Sequence, residues 1–131
     1  MHRSRRSVAQ ALVEFALVLP LVVVLTLGVV QLVLYAHARD VAISSVQEGA
    51  RLAAEDGRSV AEGRQRAQAL VSAGLGSSAD PVNIDASMDL DTVHVSLAAA
   101  LHPLLPLPLI ASLPIRAEAW MTRERFRPGG G

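Results

Sequence analysis

A chain of 131 residues supports one domain at most, and twelve basic against twelve acidic side chains leave it without net charge, so nothing argues for a nucleic-acid partner. The absence of cysteine excludes a disulfide framework and a thiolate metal site. Hydrophobic residues make up 51% but aromatic ones only 3%, so the interior must be built from Ala, Val and Leu, and such a core is thin.

Residues 1–9 form a basic leader carrying Arg3, Arg5 and Arg6. From Phe15 the chain runs to Tyr35 without a charge, interrupted only by Thr26 and Gln31 among polar side chains. As a helix at ~1.5 Å per residue that run covers about 30 Å, enough to cross a bilayer, and the transmembrane helix is set at residues 10–36. Positive charge gathered before the span keeps the amino terminus cytoplasmic and sends the remainder outside. The expected location is therefore the cytoplasmic (inner) membrane, single-pass, with an extracytoplasmic domain. A signal peptide cleaved after Ala38 is the competitor, since Ala36-His37-Ala38 is an A-x-A-type site. A signal's apolar core is ~7–15 residues, shorter than this run.

Glu14 stands just inside the cytoplasmic end of the apolar run. An ionisable group at a bilayer's centre costs about 2.5–3.5 kcal/mol, and less near an interface, so a segment selected only to anchor has no use for it. The carboxylate reads as a functional group that wants a partner. Its plainer reading is a shallow acid that reaches interfacial water and pairs with Arg5 or Arg6.

The run Gln10-Ala11-Leu12-Val13-Glu14-Phe15-Ala16-Leu17-Val18-Leu19-Pro20 resembles the amino-terminal segment of TadE-like pseudopilins, minor proteins of the tight-adherence (Flp-type, type IVb) pilus assembly system. The resemblance covers these eleven residues closely and the rest only in layout. It implies cleavage by a prepilin peptidase between Ala9 and Gln10, which makes Glu14 the fifth residue of the mature chain. The family pattern has Gly before the cut where this chain has Ala9, the next smallest side chain. The resemblance also assigns Glu14, with Phe15 beside it, to charge pairing and assembly. The partners it implies are other pseudopilins or the major pilin, the prepilin peptidase, the inner-membrane assembly platform and the lipid bilayer. Pro20 cannot donate a backbone hydrogen bond and marks a candidate helix kink. It is either a tolerated bend or the place where the helix flexes as a subunit passes from bilayer to filament.

Beyond the membrane the helix is expected to continue through residues 36–56, which lack proline. Ala42, Val46, Gly49 and Ala53 fall on one narrow face, suited to close approach by the chain's own sheet or by a second subunit. Asp56-Gly57 breaks the helix. Ser59-Val60-Ala61-Glu62 is a capping box that opens a second, amphipathic helix, expected to end at Gly74 before a loop from Ser72 to Ala79. Arg58, Arg64 and Arg66 read as a solvated face, with Glu62 four positions before Arg66.

Strict alternation then signals strands. Val82, Ile84, Ala86, Met88 and Leu90 form the apolar side of one, Val93, Val95, Leu97 and Ala99 that of its hairpin partner, and Ile115, Ala117, Ala119 and Met121 that of a third from Pro114 to Arg123. Between the last two lies His102 to Pro114, where four prolines exclude a regular helix or interior strand. Leu104, Leu105, Leu107, Leu109 and Ile110 make this segment a candidate partner surface; it either folds back over the thin core or meets a partner or the bilayer surface, covering the core and meeting a partner being equally open. Residues 127–131 are expected to form a disordered tail.

The four histidines have no spacing that suggests a metal site, and His94 falls on the polar strand face, where exposure is expected. Asp80, Asp85, Asp89 and Asp91 lack the glycine and terminal glutamate of a calcium loop. No nucleophile motif or phosphate loop is present. The expectation is a non-enzymatic α+β protein without a cofactor: a transmembrane helix running into a pilin-like helix, a second helix and a small antiparallel sheet of about three strands, with the domain at residues 37–126. The reading it competes with is a membrane-tethered or secreted extracytoplasmic binding module.

Overall fold

The computed structural model describes residues 2–104 and 112–123. A single helix, α1 (His2–Ala54), spans 53 residues and passes through Pro20 without interruption. Helix α2 (Val60–Leu75) follows, then one 3-10 turn (Gly76–Ser78) and three strands: β1 (Ala79–Asp89), β2 (Thr92–Leu101) and β3 (Leu113–Thr122). The strands form an antiparallel meander in the order β1-β2-β3, with Asp89 opposite Thr92 at one end and Leu101 opposite Leu113 at the other. This is the α+β architecture the sequence pattern demands.

Local chemistry accounts for the boundaries. The Ser59 hydroxyl accepts from the Glu62 N–H at 3.2 Å while the Glu62 carboxylate accepts from the Ser59 N–H at 2.7 Å, completing the capping box. Glu62 does not pair forward with Arg66; it turns back to Arg58 at 3.3 Å. The helix runs past Gly74 and ends at Gly76, whose φ of 52° lies in the region only glycine enters without strain. The expected loop from Ser72 is thus reduced to the turn Gly76–Ser78, because Leu75 is buried against the core and holds the last helical turn in place.

Both helices lie on one face of the sheet, α1 over β3 and β2 and α2 over β1. More than half of the buried apolar residues are alanines, joined by Val46, Val71, Val93, Val95 and Ile115. Side chains this small let the two helices meet backbone to backbone. A Cβ added at Gly49 would stand 2.7 Å from the Gly63 carbonyl oxygen, and one added at Gly63 would stand 2.5 Å from that of Gly49. The stripe Ala42, Val46, Gly49 and Ala53 is therefore consumed within the chain and is not available to another subunit. In β1 the buried face stops short of expectation. Met88 is exposed and Leu90 is the exposed tip of the hairpin, because the sheet extends there beyond its helical cover.

Candidate functional site

The two ends of α1 live in different surroundings. From Val8 to Leu34 valine, leucine and phenylalanine side chains point outward on every side, Phe15 with 64% of its surface free. This stretch is long and apolar enough to cross a membrane, and none of its most apolar window is buried among the described residues. Thr26 satisfies its hydroxyl by donating to the Val22 carbonyl at 2.8 Å, which leaves no unpaired hydroxyl donor in the span. A helix apolar all round is matched to lipid or to other helices, not to water.

At the amino end of this surface Ala9, Gln10, Glu14 and Phe15 are all exposed on regular helix. Gln10 and Glu14 stand one turn apart, about 6 Å along the axis. Among the described residues Glu14 has no ion-pair partner; neither Arg5 nor Arg6 reaches it. Pro20 removes the N–H that would bond the Ala16 carbonyl, yet the helix continues on both sides.

At the other end of the span, α1 meets the carboxyl end of β2. Gln31 accepts the Leu104 N–H through Oε1 at 2.6 Å, and the Tyr35 hydroxyl donates to the Pro114 carbonyl at 3.2 Å. The two ends of the proline–leucine segment are thus pinned to the helix. Leu104 keeps 51% of its surface exposed. Leu105, Leu107, Leu109 and Ile110, the remainder of the expected partner surface, lie outside the described residues. An open groove of about 230 Å³ runs beside the contact, lined by Gln31, Leu34, His37, Leu101, His102 and Leu104 among others. Gln31 Nε2 is buried there without a partner among the described residues. Sequence reasoning gave Gln31 and Tyr35 no role. Gln31 carried a signal nonetheless, as one of two polar residues inside the apolar run: Thr26 bonds its own helix, whereas Gln31 bonds a residue 73 positions away.

The uncovered face of the sheet holds His94, which is not the free side chain expected of it. Its ring stacks under Trp120, centroids 4.9 Å apart, and Glu118 lies 4.0 Å from Nε2. Trp120 itself remains 61% exposed. No group of three or more His, Cys, Asp or Glu side chains able to hold a metal occurs among the described residues.

Residues 9–51 match the family model described as TadE-like protein. The match begins at Ala9, takes in Gln10, Glu14 and Pro20, and ends within α1. The match covers about a third of the chain and takes in nearly all of the exposed apolar stretch together with the buried continuation of α1 as far as Arg51, while α2 and the sheet lie outside it. No curated protein and no solved structure matches the chain.

Proposed function

Taking as premise that the segment bearing Glu14 and the whole exposed stretch of α1 is TadE-like, we propose that this protein is a minor pilin or pseudopilin-like structural subunit of a tight-adherence (Flp-type) pilus assembly or secretion system. It is anchored in the cytoplasmic membrane with its amino terminus inside and its domain outside. It acts by packing and not by catalysis. A prepilin peptidase removes residues 1–9, and the new α-ammonium of Gln10 lies one turn from Glu14. In the assembly Glu14 of one subunit neutralises the amino terminus of the next and fixes the axial register as subunits enter. Its partners are other pseudopilins or the major pilin, held at the inner-membrane assembly platform.

The observation that carries this reading is an exposed carboxylate, without an ion-pair partner among the described residues, at the edge of an unburied apolar helix. A buried charge is tolerable when paired and costly when its partner is removed, so the free chain is incomplete at this point. Retention of the helix is supported by Ala38, which is 1% exposed inside the core. Cleavage after it would strip away Gln31 and Tyr35 and leave the carboxyl end of β2 unpinned. The competing module would act through the open sheet face around Trp120 and need nothing from Glu14.

Glu14→Gln keeps the shape and removes the charge. We expect wild-type protein levels, membrane insertion and a mature amino terminus at Gln10, with pilus production largely lost. Normal piliation in that variant would reject the assembly role and leave the binding-module reading.

A further inference from the structure

We propose that the domain has a second membrane contact: Leu104, just past the carboxyl end of β2 and bonded to Gln31 of α1, is immersed in the bilayer leaflet on the domain's side. The proposal rests on α1 crossing a bilayer and adds to that reading a depth for the folded domain.

The first argument is geometric. Leu104 is bonded to Gln31, which lies four residues, or about 6 Å, before Tyr35 along the helix and inside the apolar run. If the bilayer stopped at Gln31 so that Leu104 stayed in water, only about 24 Å of helix would separate Phe15 from the surface, against ~30 Å of hydrocarbon. The membrane would then have to draw Glu14 inside. Immersing the tip lets the full run from Phe15 to Tyr35 span and keeps Glu14 at the opposite edge.

The second argument is how the backbone at this end is finished. Non-helical backbone is tolerated at membrane depth only when its polar groups are satisfied. The His102 N–H donates to the Ser78 carbonyl at 3.0 Å. Pro103 has no N–H, and that of Leu104 is taken by Gln31. On the returning strand Pro114 again has no N–H, and its carbonyl accepts from Tyr35. Water would have satisfied each of these groups at an ordinary loop end. Among the described residues at this end, proline removes two donors, and Gln31 and Tyr35 of the membrane helix take one further donor and one acceptor, a pattern suited to an environment poor in water. Leu104 is also continuous with the exposed surface of Leu34 along the same groove.

The chain has no cysteine, so single replacements report cleanly. Leu104→Cys, Leu90→Cys and Leu25→Cys would each carry an environment-sensitive fluorophore in the full chain, reconstituted in vesicles of phosphatidylethanolamine and phosphatidylglycerol. Leu90 is the hairpin tip at the opposite end of the sheet, about 30 Å from Leu101. Leu25 marks the middle of the span. We expect the label at 104 to be quenched several-fold more strongly by shallow nitroxide lipids than the label at 90, and several-fold less by aqueous iodide. A label at 104 that behaves like the one at 90 overturns the proposal while leaving the anchor intact. Shielding from both quenchers also overturns it, by showing that protein covers the tip. Iodide quenching at 25 would overturn both the immersion and the transmembrane helix.

Discussion

Along one uninterrupted helix, residues 8–34 expose valine, leucine and phenylalanine on every side, whereas residues 38–54 bury alanine, valine and glycine against α2 and the sheet. The contrast lies in side-chain size and in who supplies the neighbour. Large side chains in the first stretch fill space that lipid or other subunits must provide, and the described residues bury none of their most apolar window. Small side chains in the second stretch bring two backbones into contact, which supplies dispersion and burial that a core without aromatics would otherwise lack. One helix thus serves two solvents. The boundary falls at Gln31 to Ala38, where the carboxyl end of β2 is bonded to the helix.

The sharpest way to break this comparison is to place the same substitution in both stretches. At Gly49 an added Cβ meets the Gly63 carbonyl oxygen at 2.7 Å and the Ala67 Cβ at 2.9 Å, and at Gly28 it meets nothing within 4 Å. Backbone cannot move aside as a side-chain tip can. We expect Gly49→Val to cost about 3 kcal/mol, the upper part of the range for overpacking. That would lower the Tm of the sheet-bearing domain by upward of about 10 °C. Gly28→Val should leave the same transition unmoved. Circular dichroism melts of the full chain in detergent provide the check, and equal shifts at the two positions would erase the distinction drawn here.

Val46→Ala and Val23→Ala repeat the contrast from the side of underpacking. Val46, on α1, is 0% exposed within the core cluster, and Val23 is 48% exposed. Deleting two methyl groups from a close-packed site removes about 0.8 kcal/mol each and leaves a cavity, so the expected loss at Val46 is about 2 kcal/mol. At Val23 the domain should lose nothing measurable in the same melts.

Much of this arrangement was legible beforehand because it rests on short-range chemistry. The capping box Ser59–Glu62, the alternation of Val93, Val95 and Leu97, and the hairpin between Asp89 and Thr92 each announce themselves within a few residues. So did the stripe Ala42, Val46, Gly49 and Ala53, though not its partner, since periodicity states which face is buried and not by what. Gly63 drew no notice because a glycine in a helix looks like a cost until the backbone opposite it is known. Gly74 looked like the terminator, and Gly76 took that role because Leu75 still had a place in the core. Met88 and Leu90 were misleading for a related reason: alternation continues to the end of a strand, while cover by the helices does not. At the candidate site, the run around Glu14 was legible as motif and charge. The bond from Leu104 to Gln31 joins residues 73 apart and could not be read from either neighbourhood.

The smallest expected effect concerns the cap that closes α2 onto the second stretch of α1. Ser59→Ala removes the hydroxyl that accepts from the Glu62 N–H, and losing such a cap typically costs about 1 kcal/mol. Its partner adds a pH dependence whose sign is fixed. The Ser59 backbone N–H, and after it Arg58, hold the Glu62 carboxyl below its usual range. A carboxyl depressed in the folded state contributes stability that is complete above its unfolded pKa and is lost as pH falls through the folded value. Glu62→Gln keeps an oxygen able to accept from the Ser59 N–H but cannot titrate. The variant should therefore be less stable than the wild type at neutral pH and converge with it in acid, in melts recorded as pH is lowered. The exposed stretch of α1 makes no contact with this cap, so membrane insertion should be the same for both proteins at every pH. A wild-type–variant gap that persists unchanged into acid would show that the carboxylate's charge adds nothing to the cap.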